Sequence, residues 1–169
     1  MIQDDWQKFR VIAHRFRKQE ITLSNFMKES DIFFSKESAL TKLCNILNHQ
    51  TVDDVDWALY ILKNSSLNKE ALNSIFPFLL RIAIDGSTRV MGEAGEILEG
   101  NYYKDESIKD TLKNISLEYR NITDDFVYWQ IANTLKRLGF GNLLEEFLSF
   151  CRNHDDQKIK DFVVDFLAR

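Results

Sequence analysis

Residues 79–98, LLRIAIDGSTRVMGEAGEIL, decide the fold class of this chain. They carry the end of an apolar helical run, a break at Asp85-Gly86-Ser87, and a second amphipathic row at Val90, Ala94, Ile97 and Leu98. A row with that spacing lines one face of a helix, and Asp-Gly-Ser between two such rows ends one helix and starts the next. The stretch therefore reads as two antiparallel helices joined by a short turn.

Outward from it, the pattern repeats. DDVDWALYIL (53–62) and DDFVYWQIANTLKRLG (124–139) share its sketch of acid, short gap, Val, Ala and Leu. Ala58, Ala94 and Ala132 are spaced by 36 and 38 residues, and a second amphipathic helix follows each segment. A helix pair of that length cannot bury both faces alone, so successive pairs are expected to stack.

The 79–98 stretch resembles a HEAT repeat: apolar helix, Asp at the turn, Val early in the next helix, then Ala and Leu. The resemblance runs over residues 51–169. It departs from the pattern where a basic residue commonly follows the valine, since Asp56, Met91 and Tyr128 stand there. It implies an all-α fold of stacked antiparallel helix pairs, a HEAT- or armadillo-like α-solenoid of about eight or nine helices. The expected organisation is a single domain over 1–169, with helices in 1–50 capping the stack and helix pairs in 51–169.

The remaining segments fit the same class. Residues 4–18 present Trp6, Phe9, Ala13 and Phe16 on one stripe, with Arg10, His14, Arg15, Arg17 and Lys18 elsewhere on the helix. A looser stretch is expected around Ser24, Asn25, Ser30 and Asp31, and a helix over 36–49. Thr51 with Asp54 forms a helix-start signal. Residues 75–84, IFPFLLRIAI, are apolar on nearly all sides, which marks a covered helix with a kink or restart at Pro77. Gly92 and Gly95 are poor helix formers whose use would be close approach of a neighbouring helix. Residues 100–103 read as a loop. Asp105, Thr123 and residues 153–156 open further helices, and Gly139 suits a helix C-terminus.

Composition agrees. The 169 residues hold one proline, six glycines, 44% apolar and 28% charged residues. So few turn residues disfavour β folds, and a chain of this length buries roughly 70% of its unfolded surface without a staple. Cys44 and Cys151 sit in apolar helical contexts and read as free, small hydrophobes. The start of the chain lacks an apolar leader, and no run approaches the roughly 20 residues of a membrane span, so a cytoplasmic, soluble chain without membrane contact is expected. The net charge of −4 disfavours nucleic acid as partner.

No sequence motif carries chemistry. His14, His49 and His154 share no signature, no zinc spacing occurs, and Glu93, Glu96 and Glu99 lack the histidines of carboxylate metal sites. Gly139-Phe140-Gly141-Asn142 lacks the Lys-Ser/Thr of a phosphate loop. The chain is expected to have no catalytic residues, cofactor or metal.

What remains is surface. Asp53, Asp54 and Asp56, Asp124 and Asp125, and Asp155 and Asp156 each open a helix. First-turn acids offset the helix dipole and cap free N–H groups, at about 0.3–1 kcal/mol each. In a stack the same residues would form an acidic ridge able to steer a basic protein. Trp129 lies off the apolar stripe of its helix, and Tyr102 and Tyr103 read as exposed loop residues, so these three join the acids as candidate partner contacts. Small acidic helical-repeat chains of this kind are similar to immunity proteins of bacterial contact-dependent inhibition and related toxin systems. That likeness implies neutralisation of one cognate, basic toxin, such as a nuclease, by covering its active site. A DNA-glycosylase-type enzyme on a HEAT-like fold, which needs a basic groove, and a general scaffold or adaptor are the alternatives.

Overall fold

A computed structural model of the chain describes residues 5–49, 51–122 and 124–168, the side chains of Glu37 and His49 excepted. The described residues are helical, with no strand. Among them ten α-helices occur in order: α1 (Asp5–Arg17), α2 (Leu23–Phe34), α3 (Glu37–His49), α4 (Val52–Asn64), α5 (Lys69–Asp85), α6 (Thr88–Tyr102), α7 (Lys109–Glu118), α8 (Asp125–Arg137), α9 (Gly141–Arg152) and α10 (Gln157–Leu167). A 3-10 turn, Glu106–Ile108, leads into α7.

The helix beyond the expected eight or nine is α2. Its four polar residues do not break it, because tertiary packing outweighs their weak helix preference. Thr22 caps its start by accepting from the Asn25 N–H. Phe26, Ser30 and Phe33 form a buried row, and the Ser30 hydroxyl pairs with Ser65 Oγ at 2.6 Å. Phe26 stacks on Phe16 at 4.6 Å and Phe33 on Phe9 at 4.5 Å, so α1 and α2 share an aromatic layer. Of the kink or restart expected at Pro77, the restart is absent. Helix α5 runs through it, and the Asn73 carbonyl that loses an N–H partner to the proline belongs to an exposed residue.

The helices gather into two compact units, Met1–Phe78 and Leu79–Arg169, and the division falls within α5. In the first unit α1 lies against α2 and α4, and α3 lies against α2 and α4. The core holds Trp6, Phe9, Phe26, Leu43, Leu59 and Ile61.

In the second unit α8, α9 and α10 lie against one another. Helices α8 and α10 run in the same direction: Tyr128 meets His154 and Phe162 near their starts, and Lys136 lies over Phe166 near their ends. Helix α6 meets the end of α8, with Gly95 and Glu99 facing Arg137. Helices α7 and α9 likewise pair early with early, Lys113 to Glu146, and late with late, Arg120 over Phe150. The α8 end is a Schellman motif: the Phe140 N–H donates to the Leu135 carbonyl, the Gly139 N–H to that of Lys136, and Gly139 sits at φ 78°. Against this turn lies the 103–104 segment, whose Lys104 N–H donates to the Leu138 carbonyl at 2.8 Å.

Candidate functional site

The acidic helix starts fall into two classes. In the first unit they are closed by the basic face of α1. Thr51 caps α4 by accepting from the Asp54 N–H. The Asp54 carboxylate then takes a hydrogen bond from Arg10 at 2.7 Å and one from Thr51 Oγ1 at 2.8 Å. Asp56, only 7% exposed, pairs with Arg17 at 3.3 Å. The same guanidinium lies 5.1 Å over the Trp57 ring and 5.2 Å over Tyr60, and His14 sits 5.5 Å from Trp57. Cation–π contacts of this kind add about 0.5–1 kcal/mol at exposed sites. The basic cluster of α1 and the acids of α4 are thus two halves of one contact. Asp53 is exposed on the first turn.

In the second unit two of the acids cap their own helices. Asp124 accepts from the Phe126 N–H and Asp156 from the Lys158 N–H. Among the described residues no cation pairs with Asp124, Asp125, Asp155 or Asp156. Because α8 and α10 are parallel, all four lie at one end of that pair. Thr123, expected to open α8, lies outside the described residues, and the cap is Asp124.

Charge follows the same division. The first 78 residues carry ten acids and ten Lys or Arg, whereas residues 79–169 carry sixteen acids and twelve, so the whole net charge of −4 belongs to the second unit. Exposed apolar side chains accompany it: Phe126 (46% exposed) adjoins Asp125, and Val164 and Leu167 lie on α10.

Three candidate contacts change role. Tyr102 is fully buried, because α6 runs on to it instead of ending before residue 100; burial pushes its phenol well above the ordinary range. The sequence held this signal, since the row Val90, Ala94, Leu98 reaches Tyr102 at the next step of four and leaves Tyr103 outside. Tyr103 is exposed, with the Lys104 ammonium 5.3 Å from its ring. Trp129 is half-buried between α8 and α10, edge-on to Phe162 at 5.3 Å and Phe166 at 5.4 Å. It anchors that helix pair. Asp56 is buried against Arg17, as above. Phe126 was missed because it adjoins the buried stripe of α8 in sequence. It belongs to another row, Phe126, Gln130, Asn133 and Arg137, at helical spacing along one face.

Reactive groups are shielded. Burial pushes the Cys151 thiol up to about 12 and raises that of Cys44, which keeps both protonated and poor nucleophiles at neutral pH. Tyr128, buried and beside Cys151 and Asp156, is pushed up to about 12, and its hydroxyl donates to the Arg120 carbonyl at 2.9 Å. His154 accepts the Asp156 N–H through Nδ1, a capping role. His49 lies outside the described side chains. Among the described residues no three His, Cys, Asp or Glu gather as a metal site, and no helix is long and apolar enough to cross a membrane. Gly95 is buried under the Arg137 guanidinium, which Glu99 holds at 2.8 and 3.0 Å, so a side chain and not a helix backbone makes the close approach. Gly92 has no neighbour within 4 Å of a Cβ position.

No protein-family model, no curated protein and no solved structure matches the chain.

Proposed function

We propose that this chain is a non-catalytic protein-binding module whose acidic second unit engages one basic protein partner. The observation that carries the proposal is the placement of charge. The net charge of −4 lies in residues 79–169, and four carboxylates at the shared end of α8 and α10 have no cationic partner among the described residues. A field of one sign speeds encounter with an opposite partner and selects against acidic ones. Exposed Phe126 and Tyr103 supply apolar contact area near the acids or on the same unit. The parallel courses of α8 and α10, and of α7 and α9, are compatible with HEAT-like stacking of helix pairs. The most specific form of the proposal is an immunity protein that occludes the active site of a cognate basic toxin in the cytoplasm, without metal, cofactor, membrane or nucleic acid.

The test is co-expression of the full chain with the product of the reading frame beside its gene. A stable complex that protects the host from that product, weakened tenfold or more by Asp124→Lys with Asp125→Lys while helicity is unchanged, supports the proposal. Unchanged affinity confines those residues to capping. Salt-sensitive binding to duplex DNA with base release supports the glycosylase-type alternative instead.

A further inference from the structure

The row Phe126, Gln130, Asn133 and Arg137 of α8 faces the Thr88–Gly92–Gly95 side of α6 across a cleft of about 250 Å³. That volume lies below the roughly 300–1,000 Å³ of small-molecule pockets and suits one or two protruding side chains. Nothing in the unit fills the space beside Gly92.

The decisive residue is Thr134. It lines this cleft and is only 8% exposed, yet its hydroxyl has no hydrogen-bond partner among the described residues. Serines at comparable helical positions, Ser116 and Ser74, donate to the carbonyl four residues back. No buried side-chain oxygen or nitrogen among the described residues is left without a partner, so the Thr134 hydroxyl is not sealed in and opens on the cleft. A hydroxyl that opens on the cleft and makes no bond within its own fold is available to an incoming polar group. The Gln130 and Asn133 carboxamides beside it are half-buried and likewise make no side-chain hydrogen bond among the described residues. A carboxamide both donates and accepts, which matches the N–H and C=O of a peptide backbone.

Charge selects the occupant. Asp124 and Asp125 immediately precede Phe126, a lining residue of the cleft, in the chain, without lining it themselves. At the other end of the lining row, Arg137 is already neutralised by Glu99. We infer that the α6–α8 cleft receives an extended segment of the basic partner protein, its backbone held by Thr134, Gln130 and Asn133 and its Lys or Arg side chain directed to Asp124 and Asp125. The aliphatic stem of such a side chain would fill the space beside Gly92 and lie against Phe126. This inference rests on the proposed function and adds where the partner is held.

The test uses the nitrogen-15-labelled full chain and two terminally blocked peptides, Leu-Arg-Leu-Arg-Leu and Leu-Glu-Leu-Glu-Leu. The arginine peptide should shift the Gly92 and Gly95 backbone amides and the Gln130 and Asn133 side-chain amides; the glutamate peptide should not. A Cβ at Gly92 meets nothing within 4 Å, so Gly92→Leu should keep its fold while its side chain occupies the cleft, and bind about tenfold or more weakly. Thr134→Val, nearly isosteric, should weaken binding about threefold or more. If the arginine peptide shifts only residues around Asp124 and Asp125, and Gly92→Leu titrates like the unsubstituted chain, the cleft is overturned while the acidic-surface proposal stands. Equal binding of the glutamate peptide overturns the charge selection, and absence of shifts with both peptides counts against cleft and acidic surface alike.

Discussion

The two units use the same local device, acids at helix starts, to different ends. In residues 1–78 the acids of α4 meet a basic helix 39 and 44 residues away in sequence, and the charges close on each other. In residues 79–169 Asp124 and Asp156 satisfy one N–H each, and no cation among the described residues pairs with them or with Asp125 and Asp155. The first arrangement is part of the fold. The second leaves charge available at little cost to stability, because exposed first-turn carboxylates are solvated whether or not a partner is present. A carboxylate's place in the sequence pattern is therefore a poor guide to its role, and its cross-helix partner decides.

The largest test of that difference is charge reversal. Asp56→Lys would press an ammonium against Arg17 in a site 7% exposed and should cost about 3–5 kcal/mol in urea unfolding. Asp125→Lys, on an exposed first turn, should cost no more than about 1 kcal/mol.

Alkaline titration separates the units next. Cys151 and Tyr128, both in the second unit, are pushed up to about 12 from ordinary values of 9.0 and 10.0. A raised acid binds its proton more tightly in the folded chain, so the stabilisation is complete below the ordinary value. It is lost as pH rises from about 9 towards 12, where the unfolded chain releases protons first. Stability should fall by roughly a few kcal/mol over that window, and Cys151→Ala should flatten the decline even if it lowers stability at neutral pH.

Two glycines of the second unit give smaller effects of opposite sign. Gly139→Ala must hold φ near 78° and bring its methyl to 2.9 Å from Lys104 Cγ, so a loss of about 1–2 kcal/mol is expected in thermal unfolding. Gly92→Ala meets nothing and should gain up to about 1 kcal/mol from helix preference alone. The smallest effect is Asp125→Asn, expected within about 0.5 kcal/mol.

These contrasts also show which features were legible in sequence. Local signals read correctly: Thr51 and Asp54 at the α4 start, Gly139 at the α8 end, and the apolar rows of α4, α6 and α8, because each depends on neighbours within one or two turns. Helix α2 was not legible, since Phe26 and Phe33 become a helical row only against Phe9 and Phe16. The closing of Asp54 and Asp56 by Arg10 and Arg17 was hidden for the same reason: both patterns were visible and their contact was not. Trp129 is only half-exposed because it has a second packed face, against α10, which does not show in the stripe of α8. The α6–α8 cleft was foreshadowed only by Gly92 and Gly95, whose expected use was close approach of a neighbouring helix and not an open space.

Carboxylate charge, then, is structural in the first unit and free in the second. The most direct measurement of that difference is urea unfolding of two neutralised variants followed by tryptophan fluorescence. One carries Asp54→Asn with Asp56→Asn; the other carries Asp→Asn at 124, 125, 155 and 156. Asparagine caps helices about as well as aspartate, so the exchange removes charge and keeps the cap. The expected result is a loss of at least about 2 kcal/mol for the first variant and less than about 1 kcal/mol for the second. Equal losses, or a larger loss in the fourfold variant, would contradict the division of charge between the units.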